Sequence, residues 1–520
     1  RAQFAIEART LWDNVCWEKA RAAHTEESYR SYIEAHASGQ HVSQANAMVE
    51  EVAWQTAFDA ATVDAIRVFL ERFPQSGRRA DAEARIKYLH KQEYVKVFEK
   101  DDLQAFKKLD NGTLAQAIRE AFSWSPLLLA ADTRAEGIAA YLIEKGADVN
   151  ERGEDSSTAL HVAVRAGSIN VVKLLLAHKA QLDAEIKAGA SFVQVGAGGS
   201  MTYHTPPPTA KKGTPLHWAA YYNRPEVLAY LIDQSANVNA DDGYGNNPIH
   251  FAAQSGSMEM IQALLNAGAD WKTRKKSSYG RADATPLHYA KTAEVAEFFV
   301  QQGIAIDTDS DLGQPIHAAV YWGHKEVVEY LLGKGARIDA ICSWEIGALN
   351  SVTVSPLWIA AASGTPEMID YLAGKGGDLR YRVGNGGSLL HAAAWRGNLP
   401  AIKHLVAKGL ALEDTAEFPH AHPMVQGWKG IAALGVAVHY QEIAAVRALL
   451  DAGADVNAQY EDVWTPLYIA IVGRNPALVS LLLERGAKLP FPYNDISTRN
   501  TSDEIKELLK KHFAGRPASQ

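Results

Sequence analysis

From Ser125 to Ile471 the chain repeats one arrangement of apolar and polar positions ten times. Each unit opens on a Thr-Pro-Leu-His-like tetrapeptide, runs through two alanine-rich turns and an aliphatic stretch, and closes on a Gly-Ala-Asp-Val-Asn-like element. Thr214-Pro215-Leu216-His217, Thr285-Pro286-Leu287-His288 and Thr465-Pro466-Leu467-Tyr468 are clear openings, and Gly146 to Asn150 and Gly453 to Asn457 are clear closes. The opening Thr or Ser suits a helix N-cap, and the following Pro suits the first helical position, where a missing N–H costs nothing. A second helix follows, as at Val171 to Leu176 and Val327 to Leu332. Gly146, Gly268, Gly335, Gly453 and Gly486 then stand where a left-handed helix end is wanted. The unit reads as helix, turn, helix, finger. The second residue of each opening falls at Pro126, Ala159, Pro215, Pro248, Pro286, Pro315, Pro356, Leu389, Ala433 and Pro466.

Several successive anchors, such as Pro215 and Pro248, are 33 residues apart. On this period and these motifs the chain resembles the ankyrin-repeat family over roughly residues 93 to 513. The resemblance implies an all-α solenoid of helix pairs that bury their apolar faces only against neighbouring pairs, and a non-enzymatic function in protein binding. A degenerate leading unit is expected over 93–124, where Glu99-Lys100-Asp101-Asp102-Leu103 with Phe106 and Leu109 keeps the helix spacing. The array proper covers 125–500. Thr501 and Glu504 form a capping-box pattern before the charged segment Ile505 to His512, so 501–520 reads as a capping helix and tail.

Residues 1–92 carry a different repeat, offset by 37: Trp17 with Trp54, Ala20 with Ala57, Thr25 with Thr62, Tyr32 with Phe69, Ala45 with Ala82. Two helical hairpins follow from it. The run Phe69 to Ser76, followed by Ala80, Ala82 and Ala84, resembles the tetratricopeptide-type repeats of bacterial envelope proteins, in which small residues let helices approach.

Departures from the period locate the candidate binding residues. The step from Ala159 to Pro215 is 56 residues; smaller additions follow Pro248, Pro315 and Leu389. These insertions fall in the fingers, at 184–213, 340–354 and 413–429 for the long ones, and insertions on one face of a solenoid mark a binding face. They are rich in large side chains: Phe192, Met201, Tyr203 and His204; Trp344; Phe418, His420, His422 and Trp428. The step from Pro286 to Pro315 is short, at 29, so a first helix trimmed by about one turn is expected, with a local bend near Lys291 to Glu294. In the ankyrin pattern the two residues after the alanine pair of the first helix vary freely and face the concave surface. Here they are Tyr221 and Tyr222, Tyr321 and Trp322, Trp395 and Arg396, His439 and Tyr440, with Arg165 earlier. Tyr, Trp and Arg are the types enriched in interface hot spots, so this stripe is expected to bind a protein partner together with the fingers.

The charge balance, 52 basic against 60 acidic side chains without a basic block, argues against nucleic acid. Two cysteines define no disulfide framework, and no run of 18 apolar residues exists to span a membrane. Six histidines at the fourth position of the opening (His161, His217, His250, His288, His317, His391) read as structural. His420 and His422 lack further ligands at metal-binding spacing, Gly196 to Ser200 lacks the Lys and helix of a phosphate loop, and no nucleophile elbow or HExxH occurs. No catalytic residue, metal or cofactor is expected. The chain is read as a monomer when free that grips a folded protein, as an inhibitor or immunity protein against a secreted bacterial toxin, or else as a scaffold linking two proteins. The first residue, Arg1, and the envelope-type likeness point to a processed N-terminus and a bacterial periplasmic or envelope setting.

Overall fold

The computed structural model describes residues 2–109, 114–122, 124–153, 156–186, 192–196, 200–204, 213–243, 245–272, 284–310, 312–345, 351–384, 386–418, 428–460, 464–489 and 501–513. Contacts divide the chain into two compact units, Arg1–Pro208 and Thr209–Gln520, and the division falls inside the longest finger insertion.

The first unit begins with five helices, Ala2–Ala23, Glu26–Ala35, Val42–Ala60, Val63–Arg72 and Arg79–Glu99. The 37-residue offset is visible in their packing: Trp17, Ala20, Tyr32 and Ala45 share one core, and their counterparts Trp54, Ala57, Phe69 and Ala82 share the next. Thr25 and Thr62 are N-caps in equivalent places, accepting from the N–H groups of Ser28 and Ala65. The helix Arg79–Glu99 runs straight through residue 92, so the expected boundary there lies within one helix. The leading unit follows as Leu103–Leu109 and Leu114–Phe122. It is tied forward by Asp101, whose carboxylate accepts from the N–H groups of Gly137 (2.6 Å) and Ile138 (2.8 Å) and so caps the helix Glu136–Glu144.

The repeat units take the expected form. Pro126–Thr133 is followed by Glu136–Glu144, and Ala159–Ala166 by Ile169–Ala177, in the first unit; Pro215–Tyr221 with Pro225–Asp233 through Pro466–Val472 with Pro476–Glu484 make up the second. Buried alanines, as at Ala219, Ala220, Ala252 and Ala253, let neighbouring first helices approach. Gly146 and Gly453 adopt φ of +90° and +96°, the left-handed helix end that only glycine takes without strain.

The opening histidine is the recurring polar tie. In the second unit the backbone N–H groups of Thr214, Thr285, Gln314 and Ser388 donate to Nδ1 of His217, His288, His317 and His391. With Nδ1 accepting, the proton sits on Nε2. That atom donates to a carbonyl of the finger that leads into the following unit: Asn246 (3.4 Å), Gly313 (2.9 Å), Ala340 (3.1 Å) and Ile431 (2.9 Å). The closing asparagine adds a second tie that the sequence reading did not single out. Asn239 donates to the Gly268 carbonyl and accepts from Asp270 N–H, and Asn457 repeats this with Gly486 and Lys488.

Three features depart from the sequence reading. Each long insertion carries a two-stranded antiparallel hairpin, Phe192–Gly196 with Ser200–His204, Cys342–Glu345 with Ser351–Val354, and Thr415–Phe418 with Trp428–Ala432. The β-branched and aromatic residues that marked these fingers as sticky also favour extended chain. At the C-terminus the helix is Asp503–Phe513 and its cap is Ser502, which accepts from Ile505 N–H, one residue later than the Thr501 cap expected. In the short repeat, residues 286–289 form a turn where the other units have a first helix.

Burial pushes His217, His250, His317 and His391 down to about 4 from the usual 6.5, so each is neutral in the folded chain at neutral pH. A depressed folded pKa means that the unfolded chain binds the extra protons. The stabilisation is therefore complete above about pH 6.5 and is lost as pH falls toward 4. Thermal melting followed across that window is expected to show a falling Tm, with the slope flattened in His391→Gln by roughly one proton's share.

Candidate protein-interaction face

The candidate residues of the helix face lie at the C-terminal ends of first helices, where the chain turns toward the second helix; the repeats opening at Pro248, Pro356 and Pro466 carry Gln254, Ala362 and Val472 at that place. In the second unit the candidates form three groups of ring contacts. Tyr221 meets Tyr222 edge-on at 5.0 Å and Phe251 at 6.2 Å. Trp322 stacks on Tyr289 at 5.3 Å and meets Tyr321 at 6.2 Å. Trp395 lies 5.7 Å from the buried Trp358 and 6.3 Å from Tyr440, with the Arg396 guanidinium over its ring, and His439 packs edge-on against Tyr440 at 4.8 Å. The rings thus support one another without closing off the surface: Tyr221, Tyr222, Tyr321, Trp322, Trp395 and His439 are half-buried, while Arg396 and Tyr440 are exposed. Rings already held in place lose little rotamer freedom when a partner covers them.

Arg165 does not belong to this set. It is 4% exposed, bonded at 2.7 Å to Asp132 and stacked over Trp124. Asp132 stands six residues after Pro126 and Arg165 six after Ala159, so one helix-face position of two adjacent repeats has become an internal ion pair. Spacing put Arg165 on the face; only the acidic residue one repeat earlier could have revealed that it is satisfied internally.

The finger candidates are placed by backbone alone. Phe192 pairs with His204, Val193 with Tyr203 and Val195 with Met201 in the first hairpin. Trp344 pairs with Val352 in the second and Phe418 with Trp428 in the third. His420 and His422 lie outside the described residues. Trp271, in a shorter insertion, packs edge-on against Phe299 at 5.9 Å.

The shortened repeat reshapes the face. Ala293 opens its second helix seven residues after Pro286, where Pro225 and Lys325 follow their prolines by ten. The missing residues are those that would carry the helix-face side chains. The remaining link folds back on the preceding repeat: Lys291 N–H donates to the Ala253 carbonyl, and Thr292 caps the next helix by accepting from Val295 N–H. Gly256, at φ +81°, makes room, since a Cβ there would come within 3.1 Å of Thr292 Cγ2. A notch of about 480 Å³ results. Tyr221, Tyr222 and Asn223 form one wall and Trp322 and His324 the other, with Gln254, Ser255 and Lys291 between them. The sequence singles out Tyr221, Tyr222 and Trp322 as binding candidates and Lys291 only as the start of the expected bend at the 29-residue step; it does not single out His324.

Among the described residues no group of three or more His, Cys, Asp or Glu could hold a metal, and no helix is long and apolar enough to cross a membrane.

Comparison with known proteins identifies the repeats. Profiles of ankyrin repeats match residues 95–187, 197–275, 272–342, 390–491 and 357–406, more than half of the chain. Human inversin is 30% identical over 210 residues, 36% of this chain and 19% of that protein. Mouse B-cell lymphoma 3 protein homolog is 27% identical over 256 residues, 49% of this chain and 45% of that protein. The human transient receptor potential cation channel subfamily A member 1 is 23% identical over 408 residues, 72% and 35% respectively. The chain therefore spans less than half the length of each of these relatives, and none of the three is bacterial. Ankyrin repeats are protein–protein interaction modules, and these matches indicate no catalytic family.

The Arg165–Asp132 pair generates a stability prediction. Asp132→Ala leaves a buried guanidinium without its counter-ion, which costs about 3–5 kcal/mol. Denaturant unfolding is expected to show that loss, and an unchanged midpoint would return Arg165 to the exposed face.

Proposed function

The chain belongs to the ankyrin-repeat family, and from that premise we propose that it grips a folded protein through the half-buried aromatic stripe of its first helices, assisted by the three finger hairpins. The observation that carries this reading is the presence of Tyr, Trp, His and Arg at the same two positions of four repeats of the second unit (Tyr221 and Tyr222, Tyr321 and Trp322, Trp395 and Arg396, His439 and Tyr440), held by ring contacts yet open to solvent. Polar side chains would serve the scaffold as well there, since the position lies outside the alanine-lined core. Large, pre-positioned aromatic groups are the types that dominate interface energetics.

The finer form of the proposal is inhibition, with a finger occluding the active site of a secreted toxin or effector, as an immunity protein would. The second reading is an adaptor, in which the helical hairpins of the N-terminal region, which build cores of their own, hold a different protein from the repeats.

Affinity capture with the intact protein, identified by mass spectrometry and quantified by calorimetry on the purified pair, tests the proposal. Truncating a hot-spot residue costs about 2 kcal/mol or more. Replacing Tyr222, Trp395 and Tyr440 by Ala is therefore expected to weaken the complex by well over tenfold at an unchanged melting temperature. Undiminished affinity would overturn the helix-face reading. If the partner is an enzyme, loss of its activity in the complex selects inhibition, and retained activity selects the adaptor.

A further inference from the structure

We propose that the notch at the shortened repeat is a specificity pocket for an acidic side chain of the protein partner, with a large apolar neighbour of that residue seated against Tyr222 and Trp322. The inference rests on the helix-face reading above and narrows it to one place and one chemistry.

The notch exists because one repeat lacks the residues that would fill it, so it is shaped by deletion rather than by loose packing. Its aromatic walls would suit a cationic guest equally well if they stood alone. Lys291 between them decides against a cation. It is the one lysine or arginine lining the notch, and no carboxylate lines it. Glu294 and Glu326 are exposed in the first turns of the following helices and are not part of the lining, although Glu326 acts on His324. Burial and the Lys291 charge lower the pKa of His324, so its ring is a neutral hydrogen-bonding group beside the ammonium. Asn223 and Gln254 add neutral donors for the remaining carboxylate lone pairs, while the Ser255 hydroxyl is held by the Ala252 carbonyl. A space of about 480 Å³ admits a pair of side chains rather than a helix. A carboxylate there gains a charge-assisted bond in partly water-excluded surroundings, while its neighbour gains ring contact.

Random dodecapeptides displayed on phage, selected against the intact protein, supply the probe. The expected result is enrichment of sequences with Asp or Glu beside Phe, Tyr, Trp or Leu. A synthetic peptide of the enriched sequence should bind at least tenfold more weakly to Lys291→Gln and to Trp322→Ala, and no more weakly to Trp395→Ala. Replacing its acid by the amide should cost as much as Lys291→Gln. Lys291 is exposed, so that variant keeps the fold, and an unchanged melting temperature verifies it. Enriched peptides without acidic residues, no enrichment, or binding indifferent to Lys291→Gln would overturn the notch. Binding lost in Trp395→Ala but not in Lys291→Gln would overturn the notch alone and leave the helix face standing. Binding indifferent to every helix-face substitution would remove both.

Discussion

In four repeats of the second unit the opening histidine accepts a hydrogen bond from its own helix N-terminus and donates one to the finger that leads into the next repeat, and this two-sided tie holds neighbouring repeats in register. The contact demands a neutral ring with a defined tautomer, and burial enforces it. It fixes the spacing of neighbouring units at the base of the finger and leaves the finger beyond it free to vary. His391 shows the consequence: its Nε2 reaches the Ile431 carbonyl across an insertion that lengthens the step to the next unit. The hairpin Thr415–Phe418 with Trp428–Ala432 is thus added to the array without disturbing the pairs on either side.

The same tie explains why a deletion is tolerated. In the short repeat the opening persists, with His288 bonded to Thr285 and to the Gly313 carbonyl, so the unit stays in register although its first helix is reduced to a turn. What is lost is only the part that faces outward. Lys291 and Thr292 close the gap against Gly256, and Trp322 from the following unit leans onto Tyr289. A scaffold held by a few recurring ties at the helix ends and the finger bases can lengthen its fingers and shorten a helix independently, which leaves those two features free to shape a binding surface.

Much of this was legible in the residues because repetition averages out local ambiguity. Where a unit carries Pro at its opening and Gly at its end, both stand where the period puts them, Pro286 of the short repeat excepted, and Lys179 and Ser235 take the left-handed place of the glycine in two units. The 37-residue repeat likewise placed Trp17 and Trp54, and Ala45 and Ala82, in matching cores. The errors came where no second copy existed to check against. The finger hairpins were missed because strand pairing depends on a turn, not on a period. Arg165 was misplaced because its partner, Asp132, lies a whole repeat away. Spacing marks Lys291 as the place of a bend but not as part of a notch, and leaves out His324, because the notch is made by absent residues and spacing shows a gap without showing what borders it.

A protein partner that lies against the ends of the first helices comes within reach of position 222. The most direct measurement is photocrosslinking of the intact protein, with a photoactivatable phenylalanine placed at Tyr222 or, separately, at the exposed Gln262 on the helix Met258–Asn266. Crosslinks to the partner from position 222 and none from position 262 are the predicted result. Crosslinks from position 262 with none from position 222 would contradict it.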